Sequence, residues 1–200
     1  HPASRPDQRG LSEWGWVWGQ FIDHDIDHTL TSGAAGTLTI TIPSNDPYFG
    51  DLTPNNTIAM TRSAFTTGAD GVRQQINNIS AYIDASMVYG GRAVDGPGGV
   101  DRVEWLRAND GTGHLKISDG GALGALLPRW DPTAPVMANT GTPLMGTNAF
   151  VAGDVRANEN IALIATQTLF LREHNRLARQ LSSENPTWDD ERLFQIARGV

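Results

Sequence analysis

The chain of 200 residues contains no cysteine. Disulfides and thiolate ligands are therefore excluded, and any metal must be held by imidazole, carboxylate or other oxygen. Cysteine usage leaves the compartment open. Lysine is almost missing too: Lys116 is the single one among fifteen basic residues, and the net charge is −7. No basic run exists to neutralise phosphates, which argues against a nucleic-acid partner. The arginines suit fixed ion pairs and carboxylate recognition. No signal peptide, lipidation motif or transmembrane run is visible, and His1 reads as a processed or trimmed start. Apolar residues make up 39 %, and 22 glycines with 11 prolines imply much loop.

What is present centres on Trp14 to His28, WGWVWGQFIDHDIDH. At 100° per residue it divides into two faces. Trp16, Val17, Gln20, Asp23, His24, Asp27 and His28 share one arc, and Trp14, Trp18, Phe21, Ile22 and Ile26 the other. Asp25 falls inside the apolar arc, where a carboxylate is costly unless paired or bound to a cation. Ser12 is an expected N-cap for a helix over residues 13–29.

The rest predicts a mainly α fold with few short strands and long irregular loops. Residues 1–11 read as an extended arm, 37–42 as a strand by their period of two, and 44–50 as a turn. Residues 51–79 read as mixed loop with short elements. A short helix is expected around 103–109 and half a hairpin at 113–118, with His114 on the surface. Residues 126–150 read as a long irregular connection. A helix of about 20 residues follows Asn158 and Glu159, with Ile161, Ile164, Ala165, Thr168, Leu169, Leu171 and Leu177 as its apolar positions. His174 there reads as a structural, hydrogen-bonding histidine. Thr187 with Asp190 resembles a capping box opening a last helix, which the chain is expected to cut short. There is no internal repeat.

Three constellations carry chemistry. His24 and His28, four apart with Asp25 after the first, mimic the HExxH helix of zinc hydrolases. Against this, the acid is one methylene short and no third ligand follows. Ser80, the Tyr82 carbonyl, Asp84 and Ser86 step along the chain as the oxygen shell a hard cation such as Ca²⁺ takes, or as an ordinary polar strand or cap. Gln20, Asp23 and His24 face one pocket, where imidazole can move a proton. The cation needed to stabilise developing negative charge could be Arg156, if its segment folds back over the helix.

Residues 18–27, WGQFIDHDID, resemble the distal-histidine signature of the animal-type haem peroxidases, the peroxidase–cyclooxygenase superfamily. Residues 84–90, DASMVYG, resemble that family's calcium loop, and 152–159, AGDVRANE, and 171–178, LREHNRLA, are similar to two further blocks. All four stand in the family's order. The resemblance implies a peroxidase that reduces H₂O₂ and oxidises halide, thiocyanate or a small aromatic donor. It implies His24 as distal acid–base, Arg156 assisting O–O cleavage, and Gln20 holding distal water. Haem b would be bound with Asp23 and Glu159 as ester-forming carboxylates, and Ca²⁺ by Asp25, Ser80, the Tyr82 carbonyl, Asp84 and Ser86. His174 matches a family position, and its structural reading stands. Ser80 replaces the usual Thr and keeps the hydroxyl. Asn160 stands where myeloperoxidase carries a haem-bonding Met, so that link is excluded. Absence of cysteine suggests a bacterial or otherwise disulfide-free relative, and the family implies a secreted or extracellular one. Residues 1–200 would form the N-terminal, distal part of one domain, the remainder of which supplies the proximal His. The alternatives are a haem-dependent fatty-acid oxygenase of the same superfamily, the zinc hydrolase, and a non-catalytic calcium-stabilised module.

Overall fold

The computed structural model describes residues 7–48, 57–91, 94–95, 99–138 and 148–200. The chain separates into two units, one of residues 1–26 and 79–200 and one of residues 27–78.

The larger unit holds α1 (Trp14–Ile26), α2 (Ser86–Tyr89), α3 (Arg102–Leu106), α4 (Ile161–Glu184) and α5 (Asp190–Arg198). Among the described residues its strands are two short antiparallel pairs, β5 (Val94–Asp95) with β6 (Val100–Asp101) and β7 (Ser118–Asp119) with β8 (Ala125–Leu126). The expectation of a mainly α architecture with short strands is met. The core gathers Phe21 from α1, Met87 and Val88 from α2, Leu163 and Leu171 from α4, and Phe194 from α5.

Several elements differ from their sequence reading. α1 ends at Ile26 rather than at residue 29. Its buried residues are Val17, Phe21, His24 and Asp25, while Trp14, Trp16 and Trp18 are exposed. Asp25 thus lies beside Phe21 on the buried stripe, and the tryptophans do not form the core face. α4 buries Leu163, Gln167, Leu171, His174 and Ala178, whereas Ile161 and Leu169 are exposed. Its face is set by what packs on it, and two of those positions are polar. Asn160 caps α4 through its side chain, which accepts from the Leu163 amide. α5 is capped by Asp189, accepting from the Arg192 amide, so no Thr187 box opens it. His114 is half-buried rather than a surface residue, with Nε2 shielded from solvent. Of the arm, residues 1–6 lie outside the described residues; so do 49–56 of the turn and loop, and 139–147 of the long connection.

Among the described residues, the smaller unit, 27–78, carries two ribbons and a 3-10 turn at Gly33–Ala35. β1 (Thr37–Thr41) pairs antiparallel with β2 (Thr57–Thr61), and β3 (Phe65–Thr67) with β4 (Arg73–Gln75). The predicted strand at 37–42 forms, one residue shorter.

Candidate functional site

The site is built around α2, a single turn that receives α1 from one side and the 153–156 segment from another. Asp25 is fully buried. Its Oδ1 accepts from the Ser86 hydroxyl at 2.8 Å and the Met87 amide at 3.0 Å, and its Oδ2 from the Ala85 amide at 2.9 Å. Ala85 sits in the left-handed region at φ +61°, a conformation a non-glycine residue holds only when its surroundings compel it. The carboxylate, placed by α1, holds that turn. Met87 in turn offers its carbonyl to the Asp154 amide and to Gln167 Nε2, both at 3.0 Å. Gly153 approaches so closely that a Cβ would lie 2.3 Å from the Ser86 carbonyl oxygen and 2.5 Å from the Gly90 nitrogen. Glycine is required there by proximity to backbone.

This hub sets His24 against Asp154 and Arg156. His24 is buried, with Nδ1 3.7 Å from Asp154 Oδ1 and Nε2 3.9 Å from Glu159 Oε2. Nδ1 is shielded and takes no hydrogen bond. Burial pushes the imidazole below its usual pKa; Arg156 acts in the same sense, while Asp154, Glu159 and Asp23 oppose it. Burial and Arg156 thus disfavour the imidazolium, against three carboxylates that favour it. Arg156 grips Asp154 with Nε and Nη2, both at 2.9 Å, and its Nη2 lies 3.5 Å from the His24 carbonyl oxygen. That fork fixes the guanidinium beside the helix. Gln20 donates to Glu159 Oε2 at 2.6 Å and accepts from Asn160 Nδ2 at 2.8 Å.

The sequence-predicted residues Gln20, Asp23, His24, Arg156 and Glu159 are thus brought together. Asp154 and Asn160 were missed. Asp154 stands two before Arg156, a spacing that is neither helical nor diagnostic, and only the fold turns it toward His24.

The oxygen-bearing set also converges. Ser80 Oγ lies 3.1 Å from the Tyr82 carbonyl and 3.3 Å from that of Asp25. Asp84 Oδ1 accepts from the Ser86 amide at 3.0 Å, and Ser86 reaches Asp25. One network joins all five residues. Partial burial would raise the Asp84 pKa, but hydrogen bonds from Ser86 and Ser80 outweigh it and hold the carboxyl below its usual range.

The zinc reading fails. α1 stops at Ile26, so His28 is beyond the helix whose register would align it with His24. Among the described residues, no group of three His, Asp or Glu side chains is placed to hold a metal. His174 is a structural residue, as expected. Its Nε2 lies 2.9 Å from the Gly113 carbonyl and so carries the proton, leaving Nδ1 to accept from the Tyr89 hydroxyl at 3.0 Å.

Comparison with known proteins agrees with this geometry. The animal haem peroxidase profile matches residues 1–200. Lactoperoxidase of Mesocricetus auratus is 34 % identical over 210 residues, 92 % of this chain and 28 % of that protein. The chain therefore spans under a third of that relative's length. Peroxidase A of Dictyostelium discoideum superposes with a TM-score of 0.80 at 28 % identity, over 99 % of this chain and 39 % of that one. A fatty acid alpha-dioxygenase of Oryza sativa superposes at 0.61 with 25 % identity, over 92 % and 25 %.

Proposed function

The chain belongs to the animal haem peroxidase family, and from that premise we propose that it forms the distal half-site of a peroxidase that reduces H₂O₂ and oxidises a small anionic or aromatic donor. The observation that carries this is the buried His24 beside the Arg156 fork. Haem b is the implied cofactor. The residues present fit it: the carboxylates of Asp23 and Glu159, both near enough to act on His24, are exposed rather than committed to the core. Those two would form the ester links. Haem, when bound, supplies the electrons that cleave the O–O bond and regains them from the donor.

The chain's own residues would handle protons and charge. The field of Asp154 favours the proton on Nδ1 of His24. Nε2 is then left to accept the hydroperoxide proton and return it to the departing oxygen. The Arg156 guanidinium stabilises the charge as the bond breaks. Gln20, tied to Glu159 and Asn160, would hold distal water. Asp25, Ser80, the Tyr82 carbonyl, Asp84 and Ser86 form an all-oxygen donor set with two carboxylates, which suits Ca²⁺. The ion would fix the helix that carries His24. The proximal His would come from the remainder of the domain, and an extracellular setting follows from the family reading. Retention of Gln20 supports a peroxidase over the oxygenase branch.

In the full-length protein, His24→Ala should slow the reaction with H₂O₂ by about 10²–10⁴-fold, the usual contribution of a positioned acid–base group. Stopped-flow rates equal to wild type would overturn the assignment. One absorption spectrum with metal analysis separates the rivals, since a calcium-only module would show no Soret band.

A further inference from the structure

A hollow of about 210 Å³ lies away from α2, between the 108–117 segment and the C-terminal half of α4. Arg172, Arg179 and Lys116 line it, with Asp110 and Asn175. Other arginines pair with carboxylates, among them Arg107 with Asp190, Arg156 with Asp154 and Arg176 with Glu173. None of the three cations here has a carboxylate within ion-pair distance among the described residues. Arg172 is held by neutral groups, its Nε donating to the Ala125 carbonyl at 2.6 Å and Nη2 to that of Leu123 at 2.5 Å. Those bonds orient the guanidinium without cancelling its charge. Lys116 rests on the face of Trp105, 4.2 Å from the ring centroid, which again fixes an ammonium and leaves it charged. The one carboxylate, Asp110, accepts from the Thr112 amide and hydroxyl within its own turn. The wall is rigid, since Asn175 clamps the Leu115 amide at 2.8 Å and its carbonyl at 3.0 Å.

We infer that this hollow is a binding site for one small oxyanion headgroup, a phosphate or carboxylate, seated between Arg172, Arg179 and Lys116. Two oriented cations, Arg172 and Lys116, with Arg179 beside them, against one occupied carboxylate make a positive pocket on a chain of net charge −7. Guanidinium forks match the paired oxygens of these anions. The volume is below the roughly 300–1,000 Å³ of sites that take drug-sized ligands, so a nucleotide or peptide does not fit.

Isothermal titration of the full-length protein with inorganic phosphate, and separately with benzoate, tests the site and tells the two headgroups apart. Saturable binding of either should weaken at least tenfold in Lys116→Met/Arg179→Gln, whose side chains are not in the core. Single Arg179→Gln serves if the pair unfolds. No saturable binding, or affinity unchanged in a folded variant, would overturn the proposal. The H₂O₂ reaction and the Soret spectrum should be unaffected in these variants, so failure here and failure of the peroxidase reading are separate results.

Discussion

In the larger unit, polar side chains reach across 60 to 139 positions of sequence for their partners: Asn175 to Leu115, Asp25 to Met87, Gln167 to Met87, Gln20 to Glu159. In the 27–78 unit the β1–β2 ribbon is held by its own ladder. Leu38 faces Met60 and Ile40 faces Ile58, yet these four remain 40 to 47 % exposed. Both regions obey their local patterns, but only one converts pattern into burial. A two-stranded ribbon makes hydrogen bonds without enclosing a core, whereas each buried polar group of the α2 hub must be satisfied or the turn is lost. Positional sensitivity should therefore differ sharply between the two.

The largest effect is expected for Gly153→Ala. Its new Cβ would meet backbone atoms at 2.3 to 2.5 Å, which no side-chain rotation relieves, so the loss should exceed the roughly 1–3 kcal/mol typical of overpacking. A denaturant midpoint within error of wild type would break the picture of α2 as a hub. Asp25→Ala should follow, at about 3 kcal/mol, because it orphans two amides and a hydroxyl in the core. Bound Ca²⁺, measured on the purified protein, should be lost with it. Retained calcium would detach the ion from α1.

Acid gives a third contrast. Burial, reinforced by His114 and opposed by the Gly113 hydrogen bond, pushes His174 to about 4 from an ordinary 6.5. The unfolded chain then takes up the proton first. Stability is complete above about pH 6.5 and falls as the pH drops toward 4, by on the order of 3 kcal/mol. His174→Gln should flatten that slope in unfolding free energies measured between pH 7 and 4.5, and an unchanged slope would place the acid sensitivity elsewhere. The smallest effect belongs to the ribbon. Ile40→Thr should shift stability by less than about 0.5 kcal/mol, as for most surface substitutions. A loss comparable to that of Asp25→Ala would show the apolar face of β1 to be covered.

Part of this was legible without coordinates. The four motif blocks and the alternation at 37–42 name their elements because such signals are local. So is the need of Asp25 for a partner, which follows from the cost of an unpaired carboxylate on a buried face. The wheel put Trp14 and Trp18 on the apolar arc and Val17 and His24 on the polar one, the reverse of their burial, because periodicity shows that faces differ, not which face meets a core. His28 was grouped with His24 because spacing cannot tell where a helix stops.

The order of residues sets the chemistry available: no thiolate, an imidazole flanked by carboxylates, an arginine to answer it, and a run of oxygen ligands. Which of these groups meet follows from the folding of the chain. Asp154 turns to His24, and Gly153 passes against α2. Asp25 ends on the amides of Ala85 and Met87. Each is a contact between residues at least 60 positions apart, or a steric requirement set by such a contact. Local propensity carries no term for either.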